Sequence, residues 1–304
     1  MLTFLIKAGH ASAGEKLTRF RRVVGLLIIL AGLTVIIGEC VEGLSNADSS
    51  IQAAMGAGGI AAMATAIGTL PVLFAQGFSQ RSYDCMLGFG AGVMLGATAF
   101  SLIIPALAAS RAAGASQMSS SAIVGGAILG GAVLTLLMDS LVSRNSVALA
   151  DRHAASESLK HAWMFVAAVA LHNVPEGLAI GVAYAGPDLD GARTLATAIS
   201  IQDVPEGLVV ALALRTVGYG RVVSAFLGAA SGLVEPLAAG VGAVLIGLAT
   251  DLLPVGLALA AGAMLFVIVH NVIPESHKNG NATASSVGLT CGFALMTVLD
   301  TALG

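Results

Sequence analysis

The chain is divided into long runs of apolar residues, each about as long as a lipid bilayer is thick. A transmembrane helix needs about 20 consecutive, mostly apolar residues. Nine such runs lie at 23–43, 51–76, 85–108, 121–142, 161–184, 192–214, 221–249, 253–273 and 284–303. Of the 304 residues, 57% are hydrophobic and 10% are charged, whereas about a quarter are charged in soluble proteins. The pattern predicts an all-α integral membrane protein with nine spans.

The distribution of basic residues predicts how these spans are oriented. Cytoplasmic loops carry an excess of lysine and arginine. With the N-terminus inside, all but Arg111 and Arg193 of the 14 basic residues fall on the cytoplasmic side. We therefore expect the C-terminus outside. The expected parts are a cytoplasmic basic segment at 1–22, one extra N-terminal transmembrane helix at 23–43 and an eight-helix membrane domain at 51–304. A cleaved signal peptide is the alternative for the first run, and we favour a retained helix.

Composition also argues against other classes of protein. The net charge is −3, and without a basic stripe or stacking aromatic residues no nucleic-acid partner is expected. Three dispersed cysteines form neither a disulfide framework nor a thiolate metal site. The 38 glycines lie mainly inside the apolar runs, where small residues let helix backbones approach each other. We therefore expect tightly packed helices in a lipid environment.

Two copies of one hexapeptide interrupt the apolar background. HNVPEG at 172–177 and QDVPEG at 202–207 begin thirty residues apart. An ionisable side chain at bilayer depth costs about 2.5–3.5 kcal/mol, so a cluster of them requires a compensating partner such as a cation. Residues four apart share one face of a helix, and the hexapeptides therefore offer grouped candidate ligands. These are His172, Asn173, Glu176, Gln202, Asp203 and Glu206.

A proline between the ligands predicts a kinked or broken helix in each hexapeptide. Pro175 and Pro205 each remove a backbone donor, and interrupted helices occur at membrane depth where they line a cavity. Glu235 and Pro236 repeat the pairing of acid and proline on the next span. Two divalent ions would neutralise the four carboxylates, which suggests a binuclear site. The four are Glu176, Asp203, Glu206 and Glu235.

The ligand types restrict the choice of ion. Histidine, carboxylate and amide without thiolate suit zinc, iron, manganese or cadmium. A single intramembrane His or Asn is commonly an interhelical hydrogen-bonding group, but two matched hexapeptides favour a metal or proton site. A near-copy, HNVIPE at 270–275, contains one inserted residue. The insertion is expected to move Glu275 off the face of His270, so this copy is predicted to line a path instead of joining the main site.

The pair of hexapeptides resembles the signature of the ZIP family of divalent-metal transporters, and of its bacterial GufA-like branch, over about 50–304. The resemblance implies a binuclear centre with two half-sites. One half-site would be formed by His172, Glu176, Gln202 and Glu206 with Met94, and the other by Asn173, Asp203 and Glu235. Glu176 and Glu206 would be shared between the two. It further implies import of zinc, with cadmium as a surrogate, through a bacterial inner membrane. A homodimer and an elevator-like movement of a four-helix bundle against a scaffold are also implied.

The transport path is predicted from polar residues towards the ends of the spans. On the outer side these are Ser101 and Asp300, and on the inner side they are Asp139, His270, Glu275 and His277. The polar segment from Ser143 to Lys160, which contains His153, is predicted as the longest internal loop.

Two other functions stay open at this point, although we expect a chain that is not an enzyme. An intramembrane di-metal enzyme, a hydrolase or an oxidase, is disfavoured because the sequence contains neither HExxH nor paired Glu-x-x-His motifs. A proton-coupled carrier of an organic substrate would transport its substrate even when metals are chelated.

Overall fold

The computed structural model describes residues 47–74, 79–150, 157–216 and 218–303, with the main chain alone over 141–168 and at 216 and 303. All regular structure in these residues is helical, which confirms the predicted class. Seven helical segments of the described chain are long and apolar enough to cross a membrane. The predicted helix at 23–43 lies outside the described residues. The nine-span count and the orientation of the termini stay predictions.

The described residues form twelve α-helices within one compact unit, Ser49–Gly304. They are α1 (Ser49–Thr69), α2 (Pro71–Phe74), α3 (Gln80–Ala97), α4 (Ile104–Ala112), α5 (Gln117–Ala150), α6 (Glu157–Tyr184), α7 (Leu189–Thr216), α8 (Arg221–Ser231), α9 (Val234–Leu248), α10 (Leu253–Val267), α11 (Ile273–His277) and α12 (Ala282–Leu303). Two π-helical turns, Thr98–Ile103 and Ile268–Val272, join α3 to α4 and α10 to α11. A short 3-10 turn, Thr250–Leu252, precedes α10.

The polar segment predicted as a loop at 143–160 is largely helical. Helix α5 continues to Ala150 and α6 begins at Glu157, while His153 lies outside the described residues. The segment contains neither glycine nor proline and is rich in good helix formers such as Ala, Leu, Glu and Lys. The prediction of a loop is therefore wrong for most of this segment, because polarity alone does not end a helix.

The hexapeptide prolines do not end their helices. Helix α6 runs through Pro175 and α7 runs through Pro205, so neither proline ends its helix, and the expected kinks stay predictions. The interruption falls instead within the predicted span at 221–249, between α8 and α9. There Pro236 lies in the first turn of α9, where the missing N–H costs no intrahelical hydrogen bond.

Glycine allows the backbones of α1, α6, α7 and α9 to touch one another. A Cβ atom added to Gly68 of α1 would collide with the carbonyl oxygen of Val204 in α7. One added to Gly181 of α6 would collide with the carbonyl oxygen of Ala239 in α9. Small residues at such positions let helices pack closely in lipid. We call α1, α6, α7, α8 and α9 the hexapeptide bundle, since α6 and α7 carry the two motifs.

The remaining long helices pack equally closely, but in pairs of their own. A Cβ atom added to Gly92 of α3 would collide with the carbonyl oxygen of Leu289 in α12. A Cβ atom added to Gly262 of α10 would collide with the carbonyl oxygen of Ile128 in α5. We call α3, α5, α10 and α12 the framework helices. Within each of these pairs the two helix backbones are therefore in direct contact.

Contacts between the hexapeptide bundle and the framework helices are less close at two glycines of the framework helices. A Cβ atom at Gly90 of α3 would lie 3.6 Å from Cγ of Pro205, an ordinary van der Waals distance. One at Gly256 of α10 would lie 3.1 Å from Cγ1 of Val182 in α6. At these positions the backbones of the two sets of helices do not approach as closely as they do within each set, although the carbonyl oxygen of Gln202 would lie 3.8 Å from a Cβ atom at Gly90.

Candidate metal centre

The two hexapeptides lie against each other inside the hexapeptide bundle, with their polar side chains withdrawn from the surface. Glu176 is 0% exposed, Asp203 1% and His172 6%. Glu235, in the first turn of α9, is also 0% exposed. Three helices that are separate in the sequence therefore bring carboxylates and an imidazole to one buried place, as predicted.

The first group of side chains consists of His172, Glu176 and Glu206. Nε2 of His172 lies 3.5 Å from Oε1 of Glu176 and 3.7 Å from Oε2 of Glu206. These distances are too long for good hydrogen bonds. Two ligands bound tetrahedrally to one zinc ion at about 2.1 Å would be roughly 3.4 Å apart. The geometry of the group is therefore suited to holding one ion between an imidazole and two carboxylates.

The second group consists of Glu176, Asp203 and Glu235, which offer oxygen atoms within 4.8 Å of one another. Asn173 borders this group, and its amide nitrogen donates to the carbonyl oxygen of Ser231 at 3.1 Å and to Oε1 of Glu235 at 3.2 Å. Because both partners are acceptors, the amide orientation is fixed and Oδ1 of Asn173 is left without a partner. Glu176 belongs to both groups, as a shared ligand would.

Six buried nitrogen and oxygen atoms in and around these two groups have no hydrogen-bond partner. They are Nε2 of His172, Oδ1 of Asn173, Oε2 of Glu176, Oδ2 of Asp203, Oε1 of Glu206 and Oε2 of Glu235. A buried polar atom without a partner costs about 1–3 kcal/mol, and more when it is charged. Five oxygens and one imidazole nitrogen are suitable ligands for a divalent cation such as zinc. The residues present fit a metal ion.

Gln202 has an orientation that the sequence did not indicate. Its amide nitrogen donates to Oε1 of Glu176 at 2.6 Å and also to Oδ1 of Asp203. The NH2 group thus lies between two carboxylates of the second group. The predicted ligand role needs the amide oxygen, so the amide would have to rotate by half a turn to contact an ion.

A cavity of about 550 Å³ leads from the first group to the surface. His172, Gln202 and Glu206 line one part of it, and Lys278 lies among the residues that line the rest. We call it the Lys278 cavity. His270 and Glu275 of the near-copy, which was expected to line a path, both line it as well. A π-helical turn spans Ile268–Val272 in this motif, and such turns are frequent at functional sites.

The predicted residues of the outer path are also in contact with each other. Ser101 donates to Oδ1 of Asp300 at 3.1 Å, across 199 positions of sequence. Ser101 lines a second cavity of about 430 Å³, which we call the Ser101 cavity, and Asp188 lines it too. Asp139 and His277 are not among the described residues that line either cavity.

Met94 is buried in the hydrophobic core. Its side chain is 1% exposed and belongs to the main apolar cluster. It lies one turn beyond Gly90, on the same face of α3, and Gly90 faces Gln202 and Pro205. This places Met94 on the side of α3 that packs against α7, while its role as a ligand stays a prediction.

Two groups at the site were not identified from the sequence. Thr65 of α1 donates to Oε1 of Glu235 at 3.2 Å, and the carbonyl oxygen of Ser231 holds the amide of Asn173. A single threonine in an apolar helix gives no recognisable signal, and a backbone carbonyl gives none at all. The contact with Ser231 arises from the interruption between α8 and α9.

The fold and the site together define a multi-pass helical membrane protein with a buried cluster of metal-ligand side chains. Residues 143–300 match the family described as ZIP Zinc transporter. The chain is 42% identical to the zinc transporter ZIPB of Bordetella bronchiseptica over 92% of this chain and 88% of that protein. It is 40% identical to the zinc transporter GufA of Myxococcus xanthus over 82% of this chain and 100% of that protein. The chain therefore belongs to the ZIP family.

The human zinc transporter ZIP11 is a further relative, 46% identical over 46% of this chain and 43% of that protein. These relatives are named as transporters and not as enzymes. This confirms the prediction that the chain is not an enzyme, and the interpretation as an intramembrane hydrolase or oxidase is set aside.

Proposed function

We propose that this protein imports divalent metal ions, zinc above all, across the inner membrane of a bacterium into the cytoplasm. The observation that carries the proposal is the set of six buried, unpartnered ligand atoms on the two hexapeptides and Glu235. A cluster of carboxylates at membrane depth requires a compensating partner, and a transported cation is one. The names of the relatives, all zinc transporters, support zinc as the principal substrate.

The site is proposed to hold two ions. His172, Glu176 and Glu206 would hold one, and Glu176, Asp203 and Glu235 with Asn173 would hold the other. Two divalent ions would balance the four carboxylate charges. Since no thiolate contributes, cadmium, iron and manganese are the expected competing substrates, and an amide among the ligands favours release over permanent binding.

Transport is proposed to occur by an elevator-like movement of the hexapeptide bundle against the framework helices. This is supported by the difference in packing. Within each set, a Cβ atom added to the packing glycines would collide with a backbone carbonyl oxygen, whereas between the sets its nearest atom would lie 3.6 Å away at Gly90 and 3.1 Å away at Gly256. In the orientation predicted from the basic residues, the Lys278 cavity opens to the cytoplasm and reaches the site. The described conformation would then be inward-facing. The same proposal includes the homodimer that the family resemblance implies.

Zinc uptake into proteoliposomes tests the proposed function. We expect the purified protein to take up zinc, with competition by cadmium, and we expect His172→Ala and Glu206→Ala to abolish uptake while the proteins remain folded by circular dichroism. Each variant removes a ligand of the first group. Normal uptake by both variants would contradict the proposal. Transport of another solute that continues in the presence of a strong chelator would instead favour the organic-substrate carrier.

A further inference from the structure

Helix α1 contributes one polar side chain to the site, although it carries none of the predicted ligands. Thr65 is 1% exposed, and its hydroxyl donates to Oε1 of Glu235 at 3.2 Å. The same hydroxyl lies 3.3 Å from the carbonyl oxygen of Ala61 in its own helix. The contact with Glu235 spans 170 positions of sequence, so it is a tertiary contact and not part of the helix.

The two oxygens of Glu235 have different surroundings. Oε1 accepts from Thr65 and from the amide of Asn173, each at 3.2 Å. Oε2 is buried and has no partner. Two donors on one oxygen fix the plane of the carboxylate, so the other oxygen is held available for an ion.

The position of Thr65 is itself fixed by close packing on two sides. A Cβ atom at Gly232, between α8 and α9, would lie 2.9 Å from Cβ of Thr65. One at Gly207 of α7 would collide with the carbonyl oxygen of Thr65. Both the side chain and the backbone of Thr65 are therefore confined, and its hydroxyl has little freedom to leave Glu235.

We propose that Thr65 is a positioning residue for the second ion, holding Glu235 so that its free oxygen points to the position between Glu176, Asp203 and Glu235. This inference rests on the proposed two-ion site. Mutation of a group that orients a metal ligand typically lowers metal affinity by about 10–100-fold. The ion between His172, Glu176 and Glu206 should be little affected, because Thr65 contacts none of those three side chains in the described contacts.

The test compares two threonines on one face of α1. Thr65→Val keeps the side-chain shape and removes the hydroxyl that donates a hydrogen bond to Glu235. Thr69→Val makes the same change one turn further along, where the hydroxyl donates to the carbonyl oxygen of Ala66 at 2.7 Å within its own helix. Thr69 is also buried, at 2% exposed. Zinc binding to each purified full-length protein is measured by titration calorimetry, which reports the number of ions and the affinity for each.

We expect Thr65→Val to lower the affinity for one of the two zinc ions by about 10-fold or more and to leave the affinity for the other unchanged. Thr65→Ser, which keeps the hydroxyl, should bind both ions as the wild type does, and so should Thr69→Val. Thr65→Ala carries the same expectation as Thr65→Val should the valine variant not fold.

Wild-type binding of both ions by Thr65→Val would overturn the inference about Thr65 while leaving the two-ion site intact. An equal loss of zinc affinity in Thr65→Val and Thr69→Val would also overturn it, since that result indicates a general effect on helix packing. A wild-type protein that binds fewer than two zinc ions would instead contradict the proposed site itself.

Discussion

Glu176→Gln is expected to lower zinc uptake into proteoliposomes by at least about 100-fold, because loss of a direct ligand should exceed the 10–100-fold loss typical of residues that only orient a ligand. Glu176 belongs to both ligand groups, so one substitution weakens both proposed ion positions. Gln keeps the volume of the side chain and its ability to hydrogen-bond with Gln202. The effect should therefore appear as loss of bound zinc without loss of folded protein.

The control for Glu176→Gln is Asp251→Asn, which also neutralises one carboxylate. Asp251 is exposed in the short turn before α10 and lies in neither ligand group. Uptake by this variant should equal that of the wild type. Retention of more than half of the wild-type uptake by Glu176→Gln would refute a shared ligand at this position.

The second large effect is expected from locking the hexapeptide bundle to the framework helices. In a protein without its native cysteines, Val182→Cys with Gly256→Cys should form a disulfide, because a Cβ atom at Gly256 would lie 3.1 Å from Cγ1 of Val182. That separation is close to the distance between Cβ and the opposite sulfur in a disulfide, about 3.0 Å. Oxidation should stop uptake, and reduction should restore it.

A disulfide inside the bundle provides the control. Ala211→Cys with Gly228→Cys links α7 to α8, where a Cβ atom at Gly228 would lie 3.4 Å from Cβ of Ala211. Because both helices belong to the hexapeptide bundle, this link should leave uptake unchanged. Undiminished uptake by the oxidised Val182–Gly256 pair would show that the two sets of helices need not separate there, and the elevator-like movement would have to be abandoned.

The helical class and the meeting of the two hexapeptides could be predicted from local rules. The spacing of His172 and Glu176 places both on one face of any α-helix, and the cost of isolated charges in lipid requires such groups to find one another. Ser101 and Asp300 are far apart in sequence, yet both were expected on the outer path, and they are hydrogen-bonded. Those features depend on periodicity and hydropathy, which a single sequence displays.

The remaining features depend on tertiary contacts that a single sequence does not display. The interruption between α8 and α9 coincides with Gly232, against which Thr65 packs, and not with the hexapeptide prolines. A π-helical turn spans Ile268–Val272 within the third motif, whose His270 and Glu275 both line the Lys278 cavity. Gln202 presents its amide nitrogen to the carboxylates, an orientation set by its neighbours.

Locating zinc in crystals of the wild-type protein would test whether the two hexapeptides and Glu235 hold the transported metal. Anomalous diffraction at the zinc absorption edge should show ions about 2.0–2.2 Å from ligand atoms. One ion should contact His172 and Glu176, and a second should contact Asp203 and Glu235. A protein that transports zinc but whose zinc peaks all lie away from these four side chains would contradict the claim.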